Sequence, residues 1–248
     1  MGRLRTAVSV VADLASIVTM LLFLVGMSVA VANLRKGPPG APVSSSSARR
    51  SSLPRGELTE PAHGRMPLLS GTEYDPSGAR VAVVEFGDFE CPYCARFDQF
   101  VLPELKAEYV DSGRLAFVYR DFPLDNHREA LKASRAASCA RSQGKYWQMH
   151  TRLFLKRGQF PPEQLLELAR ALGMNSHVFA TCVAAEPSET KADVALGRLL
   201  GVSVTPTFFL GRILENGEVE IKWKLLGAQP VERFREVIER ISSDGSAQ

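Results

Sequence analysis

Two cysteines separated by two residues, Cys91-Pro92-Tyr93-Cys94, are the residues of this sequence best placed to do chemistry. They follow a Val-rich run and precede a segment in which apolar residues recur with helical spacing. A thiolate at the N-terminus of a helix is stabilised by free backbone N–H groups and by the helix dipole, which lowers its pKa. We therefore expect Cys91 to be an exposed nucleophile. Cys94, one turn inside the helix, would be the buried cysteine that resolves a mixed disulfide.

Two other roles are open for this cysteine pair: an inert local disulfide and half of a zinc site. A zinc site needs two further ligands at suitable spacing. The chain has no second Cys-x-x-Cys, and its four histidines are scattered. The redox role is therefore favoured, and it requires neither a metal nor an organic cofactor.

Two further features could support redox chemistry at this pair. Glu85 stands six residues before Cys91 within an apolar run, where a buried carboxylate could exchange a proton with Cys94. Alternatively, Glu85 lies at a strand end and reaches solvent. Thr205-Pro206 interrupts another apolar run, where a proline removes a backbone donor. A cis bond there would leave the Thr205 backbone free to pair with an extended substrate. The candidate substrate-binding residues are Pro92, Tyr93, Thr205 and Pro206.

A β-α-β pattern surrounds the cysteine pair. Residues 80–86 and 115–119 are short apolar runs that predict two strands, and a helix between them makes these strands parallel. The helix is predicted over residues 92–110, with a kink at Pro103.

A helical insertion and a second group of strands follow. Residues 126–200 have a helical pattern, residues 202–210 predict a strand interrupted by Pro206, and residues 218–223 predict its partner after an Asn216-Gly217 turn. Residues 231–241 predict a closing amphipathic helix. The complete pattern is β-α-β, a helical insertion, then β-β-α.

The N-terminal part predicts a membrane segment and a linker. A short basic start occupies residues 1–13, and no charged residue occurs from 14 to 34. As a helix, residues 14–34 would be about 31 Å long, enough to cross a membrane. Residues 35–70 are rich in Pro, Gly and Ser and predict a flexible linker. The alternative is a cleaved signal peptide with a small-x-small site at Ala30-Val31-Ala32. Either interpretation exports residues 71–248.

Composition and charge narrow the function further. Hydrophobic residues make up 45% and charged residues 23%, which is typical of a globular protein. Residues 71–248 carry 22 Lys or Arg and 24 Asp or Glu. A nucleic-acid-binding domain needs a basic face, so this balance argues against that class.

A second pair of cysteines, Cys139 and Cys182, lies in the predicted helical insertion. A structural disulfide between two helices is the favoured interpretation, and it would fit an oxidising compartment. Two buried free thiols, or a second redox pair that exchanges electrons with Cys91, remain open.

Several segments, in order, resemble the bacterial DsbA-like family, and in particular its membrane-tethered BdbD-like branch. They are VVEFGDFECPYC, YRDFPL, AASCARSQGKYWQMHTRLF and GVSVTPTFFLG, together with His127-x-x-Ala130, within residues 68–242. The resemblance implies an α/β thioredoxin fold with an inserted helical domain. It also implies Cys91 as nucleophile, Cys94 as resolving thiol, Glu85 as the buried acid and Thr205-Pro206 as a cis-proline loop. Related proteins with a second cysteine pair favour a structural disulfide between Cys139 and Cys182.

The resemblance implies an extracytoplasmic protein-disulfide oxidoreductase that acts on exported proteins with cysteine thiols. Residues 35–70 contain no clear dimerisation domain, so a monomer is expected. A membrane redox partner, quinone-linked and DsbB-like or VKOR-like, would reoxidise it. Strongly oxidising relatives typically carry His where this chain has Tyr93, and Asp88 and Glu90 would disfavour a nearby thiolate. The oxidase direction is favoured, with a reductase or isomerase as the alternative and a non-catalytic tethered binding module as a further one.

Overall fold

The computed structural model describes residues 62–68, 73–74, 78–156, 158, 160–185 and 188–244. Within these ranges the strands are β1 (Gly64–Pro67), β2 (Glu73–Tyr74), β3 (Val81–Gly87), β4 (Leu115–Asp121), β5 (Thr207–Ile213) and β6 (Glu218–Leu226). The α-helices are α1 (Pro92–Phe100), α2 (Leu102–Leu105), α3 (Ala130–Arg141), α4 (Tyr146–Lys156), α5 (Pro162–Ala171), α6 (Ser176–Ala184), α7 (Ser188–Leu199) and α8 (Val231–Asp244). A π-helical segment, Lys106–Val110, continues α2.

The described strands form one mixed sheet in the order β1-β6-β5-β3-β4-β2. The central strands β3 and β4 are parallel, and the remaining neighbours are antiparallel. Every residue of β3 and β4 is buried because both faces of the sheet are covered. The predicted β-α-β unit is confirmed.

Alternate residues of the central strands enter two hydrophobic cores. Val83 and Phe117 face the larger core, which α1, α3, α4 and α8 complete. Val84 and Val118 face the smaller core on the opposite side, where residues of α7 pack. This period-two alternation holds the β3 C-terminus in a fixed position beneath the cysteine pair.

The predicted kink in the first helix is present as a break at Val101, between α1 and α2. Pro103 has no N–H to donate to a carbonyl one turn earlier, so the helix cannot continue regularly through it.

The predicted strand over residues 202–210 is wrong in its first half. The strand begins at Thr207, directly after Pro206, which has no N–H for strand pairing.

The predicted hairpin is confirmed. Leu214 N–H donates to the Glu218 carbonyl, and Gly217 adopts a φ of 77°, which glycine tolerates without steric cost. Its second strand extends to Leu226, three residues beyond the predicted end.

Where the sequence predicts a helical insertion over residues 126–200, the described part of the chain contains the five helices α3 to α7. Asn175 caps α6, since its side chain accepts hydrogen bonds from the N–H groups of His177 and Val178. A disulfide between Cys139 and Cys182 joins α3 to α6.

The sheet begins earlier in the chain than the sequence predicts. Gly64–Pro67 pairs with β6, and Met66 and Leu68 are buried, so the linker prediction is wrong for this strand. The strand was missed because β1 is only four residues long and buries one of them. No helix in the described part of the chain is long and apolar enough to cross a membrane. The predicted anchor at residues 14–34 lies outside the described residues.

Candidate active site

The Cys-x-x-Cys motif lies at the carboxyl end of β3, where the chain turns into α1. Cys91 is the residue immediately before the helix, with an extended backbone, and Pro92 is the first helical residue. Proline suits this position because the first N–H groups of a helix have no partner within it. Cys94 lies in the first turn, and both cysteines are free thiols in the structure.

The Cys91 sulfur has a pKa lowered from its ordinary value to about 6. The largest cause is a hydrogen bond that the Cys94 thiol donates to the Cys91 sulfur, while burial opposes it. Backbone N–H groups of Tyr93 and Cys94 add to the lowering, as expected at a helix N-terminus. The pair is therefore arranged to hold a thiolate on Cys91 at neutral pH.

The expectation that Cys91 is exposed is wrong. Only 4% of the residue is accessible, and its sulfur lies 3.3 Å from the Thr205 carbonyl oxygen. The loop before β5 therefore contacts the sulfur.

Cys94 has the opposite electrostatic environment. It is fully buried, and burial raises its pKa well above the ordinary value. Its hydrogen bond to Cys91 and the nearby carboxyl of Glu85 raise it further, whereas the backbone N–H of Asp88 opposes this. Cys94 therefore stays a thiol while Cys91 ionises.

Glu85 is buried in the middle of β3, with 1% of the residue accessible. It pairs with Tyr119 of β4 and Phe208 of β5, so the alternative of a solvent-reaching strand end is excluded. Burial raises the pKa of its carboxyl well above the ordinary value, and Asp98 raises it further. Its Oε1 has no hydrogen-bond partner among the described residues.

The Thr205–Pro206 peptide bond is cis, as the sequence predicts. The Pro206 carbonyl accepts a hydrogen bond from the N–H of Gly227, and the Thr205 carbonyl faces Cys91. The Cys91 sulfur thus contacts the Thr205 carbonyl, one of the backbone groups expected to pair with a substrate.

A groove of about 450 Å³ runs beside Cys91 along α1. Its lining includes Phe89, Pro92, Ala95, Arg96 and Phe100. Phe100 is 66% exposed and Tyr93, at the helix start, is 60% exposed. Large exposed apolar side chains beside a reactive sulfur can contact apolar segments of a substrate.

The sequence interpretation missed a buried pair beneath the motif, Asp98 of α1 and His150 of α4. His150 Nδ1 lies 3.2 Å from Asp98 Oδ1, and both side chains are almost inaccessible. Asp98 follows Cys94 by four residues, so helical spacing could have placed it on the buried face. No local signal identified His150, which belongs to the helical insertion.

Comparisons with known proteins agree with this fold. The sequence model of the family described as thioredoxin matches residues 76–225. Because the match covers more than half of the chain, the protein belongs to this family.

Two curated relatives are similar to this chain over part of their length. A Na(+)/H(+) antiporter, NhaA 1 of Salinispora arenicola, is 35% identical over 150 residues, 59% of this chain and 22% of that protein. The probable disulfide bond formation protein D of Bacillus anthracis is 34% identical over 90 residues, 36% of this chain and 42% of that protein. The chain thus spans about a fifth of the antiporter and less than half of the Bacillus protein.

Solved structures show the same fold. Oxidised BdbD from Bacillus subtilis superposes with a TM-score of 0.60 at 22% identity, covering 73% of this chain and 97% of that one. Wolbachia pipientis α-DsbA1 superposes with a TM-score of 0.57 at 23% identity, covering 75% and 94%. The resemblance to DsbA-like proteins that the sequence indicates is confirmed.

Proposed function

We propose that this protein is an extracytoplasmic thiol:disulfide oxidoreductase that oxidises exported proteins through Cys91 and Cys94. The observation that carries the proposal is that the pKa values of the two thiols shift in opposite directions. Cys91 has a pKa lowered to about 6, whereas the pKa of Cys94 is raised. A stabilised Cys91 thiolate favours the dithiol form of the protein, and a stable dithiol makes the disulfide form a better oxidant.

The reaction begins with Cys91 and Cys94 joined by a disulfide. A substrate thiolate attacks the Cys91 sulfur, which forms a mixed disulfide and breaks the bond to Cys94. Cys94 leaves as a thiolate and takes a proton from Glu85, whose carboxyl pKa burial raises well above its ordinary value. A second substrate thiolate attacks the substrate sulfur of the mixed disulfide and releases Cys91 as a thiolate. The substrate loses two electrons, and the cysteine pair gains them.

In this proposal, the substrate contacts the groove beside Cys91 and the residues that flank the reacting sulfur. Pro92 and Tyr93 flank the reacting sulfur at the start of α1, and Thr205 and Pro206 flank it from the loop before β5. Unfolded proteins expose apolar segments, which would contact the exposed Tyr93 and Phe100 side chains.

The location and recycling of the protein belong to the same proposal. Residues 14–34 anchor the chain in the membrane, and the folded domain lies on the outer side as a monomer. The disulfide between Cys139 and Cys182 supports this location, because such bonds persist in oxidising compartments. A quinone-linked membrane protein, DsbB-like or VKOR-like, restores the Cys91–Cys94 disulfide.

One observation favours electron flow in the opposite direction, as a reductase or isomerase. Tyr93 occupies the inner position where strongly oxidising relatives typically carry His, and a tyrosine supplies no positive charge to stabilise the Cys91 thiolate. The reduction potential of the pair decides between the two directions.

The experiment is to equilibrate the full chain with glutathione and to measure the reduction potential of Cys91–Cys94. A value near about −120 mV supports the oxidase, and one near about −230 mV or below supports the reductase or isomerase. In parallel, Cys91→Ser must abolish oxidation of a dithiol peptide, while the Cys139→Ser/Cys182→Ser double variant retains it. Activity in Cys91→Ser would refute the proposed chemistry.

A further inference from the structure

Asp88 contacts both cysteines through its backbone and the segment after β4 through its side chain. It lies between the end of β3 and Cys91, and it is completely buried. The sequence interpretation treated its carboxylate only as a charge that would disfavour a nearby thiolate. The structure gives both its backbone and its side chain specific partners.

The backbone of Asp88 contacts both cysteines. Its carbonyl accepts a hydrogen bond from the Cys91 N–H at 3.0 Å. Its N–H points to the Cys94 sulfur at 3.5 Å. Cys94 in turn donates its proton to the Cys91 sulfur. The hydrogen bonds thus run in one direction, from the Asp88 N–H through Cys94 to the Cys91 thiolate, and such chains reinforce their members.

The carboxylate of Asp88 fixes this backbone in place. Oδ1 accepts a hydrogen bond from the Glu90 N–H at 2.7 Å. Oδ2 accepts one from the Leu124 N–H at 2.8 Å and lies 2.8 Å from His127 Nδ1. A buried carboxylate needs such donors. The Glu90 N–H lies in the same segment before Cys91, whereas Leu124 and His127 belong to the segment after β4.

We propose that Asp88 is a positioning residue of the redox site, and that His127 holds it there from the loop after β4. Without the Asp88 carboxylate or the His127 side chain, the segment between β3 and Cys91 can move, so that the Asp88 N–H no longer faces Cys94. Cys94 then donates less strongly to Cys91, and the dithiol form becomes less stable relative to the disulfide. This inference rests on the proposed redox role of Cys91 and Cys94.

The chain offers a graded set of substitutions to test this inference. Asp88→Asn replaces one acceptor oxygen by an NH₂ group that faces at least one existing donor. His127→Leu removes the donor to Oδ2, whereas His127→Asn restores a donor at a similar reach. Asp125→Asn changes an exposed aspartate of the same loop and is the matched control.

The measured quantity is the equilibrium constant of the cysteine pair with glutathione in the full chain, with thermal unfolding recorded beside it. We expect Asp88→Asn to shift this constant about tenfold toward the disulfide form, which corresponds to about 30 mV. His127→Leu should shift it in the same direction, and His127→Asn and Asp125→Asn should stay within twofold of the wild type. If Asp88→Asn does not fold, the two His127 variants decide the question.

Two results would overturn the inference while leaving the redox function intact. One is a lowered melting temperature in Asp88→Asn and His127→Leu with an unchanged equilibrium constant, which would be a purely structural role. The other is an equal shift in His127→Leu and His127→Asn, which would exclude the hydrogen bond as the cause. If the wild-type pair does not exchange with glutathione at all, the proposed function and this inference both fail.

Discussion

The Cys91 sulfur lies 3.3 Å from the carbonyl oxygen of Thr205, although 114 positions separate the two residues in the chain. Antiparallel pairing of β3 with β5 brings them together. The last pair of this ladder joins Phe86 to Thr207. The end of β3, which leads to Cys91, therefore lies beside the start of β5, which follows Thr205. The reactive sulfur and the cis-proline loop are therefore held by the neighbouring strands β3 and β5.

The lowered pKa of Cys91 gives the first prediction. Alkylation of the reduced protein by iodoacetamide should accelerate with rising pH through a midpoint of about 6 and level off at higher pH, because the thiolate is the reactive form. Cys94 should react far more slowly than Cys91, since burial raises its pKa well above the ordinary value. The rate at Cys91 is measured by mass spectrometry across pH 4 to 9.

The variant Cys94→Ala tests the cause of that shift. Without the donated hydrogen bond, the midpoint for Cys91 should move upward, toward the ordinary cysteine value of about 8.5. An unchanged midpoint would show that the Cys94 thiol does not contribute and that Thr205 and the N–H groups of the helix N-terminus lower the pKa.

The exposed position of Tyr93 gives the second prediction. In Tyr93→His, a protonated imidazole beside the motif should stabilise the Cys91 thiolate, and with it the dithiol form. We expect the equilibrium constant with glutathione to shift about tenfold toward the dithiol, about 30 mV. Tyr93→Phe is the matched control, because it removes only the hydroxyl. A similar shift in both variants would exclude charge as the cause.

The site could be predicted from the sequence where its signals are local. The Cys-x-x-Cys motif between a strand and a helix, Pro206 within an apolar run and the Asn216-Gly217 turn each constrain the backbone by themselves. Contacts between distant segments had no such signal. His150 and His127 reach the motif only because the helical insertion and the segment after β4 pack against it. The burial of Cys91 was missed for the same reason, since its cover comes from the loop before β5.

The disulfide between Cys139 and Cys182 gives the third prediction. The double variant Cys139→Ala/Cys182→Ala should lower the free energy of unfolding by about 4 kcal/mol, because the bond closes a long loop in the unfolded chain. Denaturant unfolding measures this change. The glutathione equilibrium of Cys91 and Cys94 should stay within twofold of the wild type. A larger shift would instead indicate a second redox pair that exchanges electrons with Cys91.

Glu85 gives the last prediction, which concerns catalysis. Glu85→Gln keeps a similar shape but has no proton to give to Cys94 as this sulfur leaves. We expect the reaction of the oxidised protein with a dithiol peptide to slow by about a hundredfold at pH 7. Stopped-flow measurement of this reaction provides the rate. Glu215→Gln, an exposed residue of the hairpin turn, is the control and should react at the wild-type rate.

Glu85→Gln should slow the reaction but raise the free energy of unfolding at pH 7. Measuring both quantities distinguishes a loss of proton transfer from damage to the fold. The pKa of Glu85 is raised in the folded protein, so above about pH 4.3 the unfolded chain loses this proton while the folded one keeps it. This difference makes the wild type less stable as the pH rises from 4 toward 7, and Gln removes it. Oxidised Glu85→Gln should therefore match the wild type near pH 4 and exceed its unfolding free energy at pH 7. A variant that is both slower and less stable at pH 7 would contradict a raised pKa at Glu85.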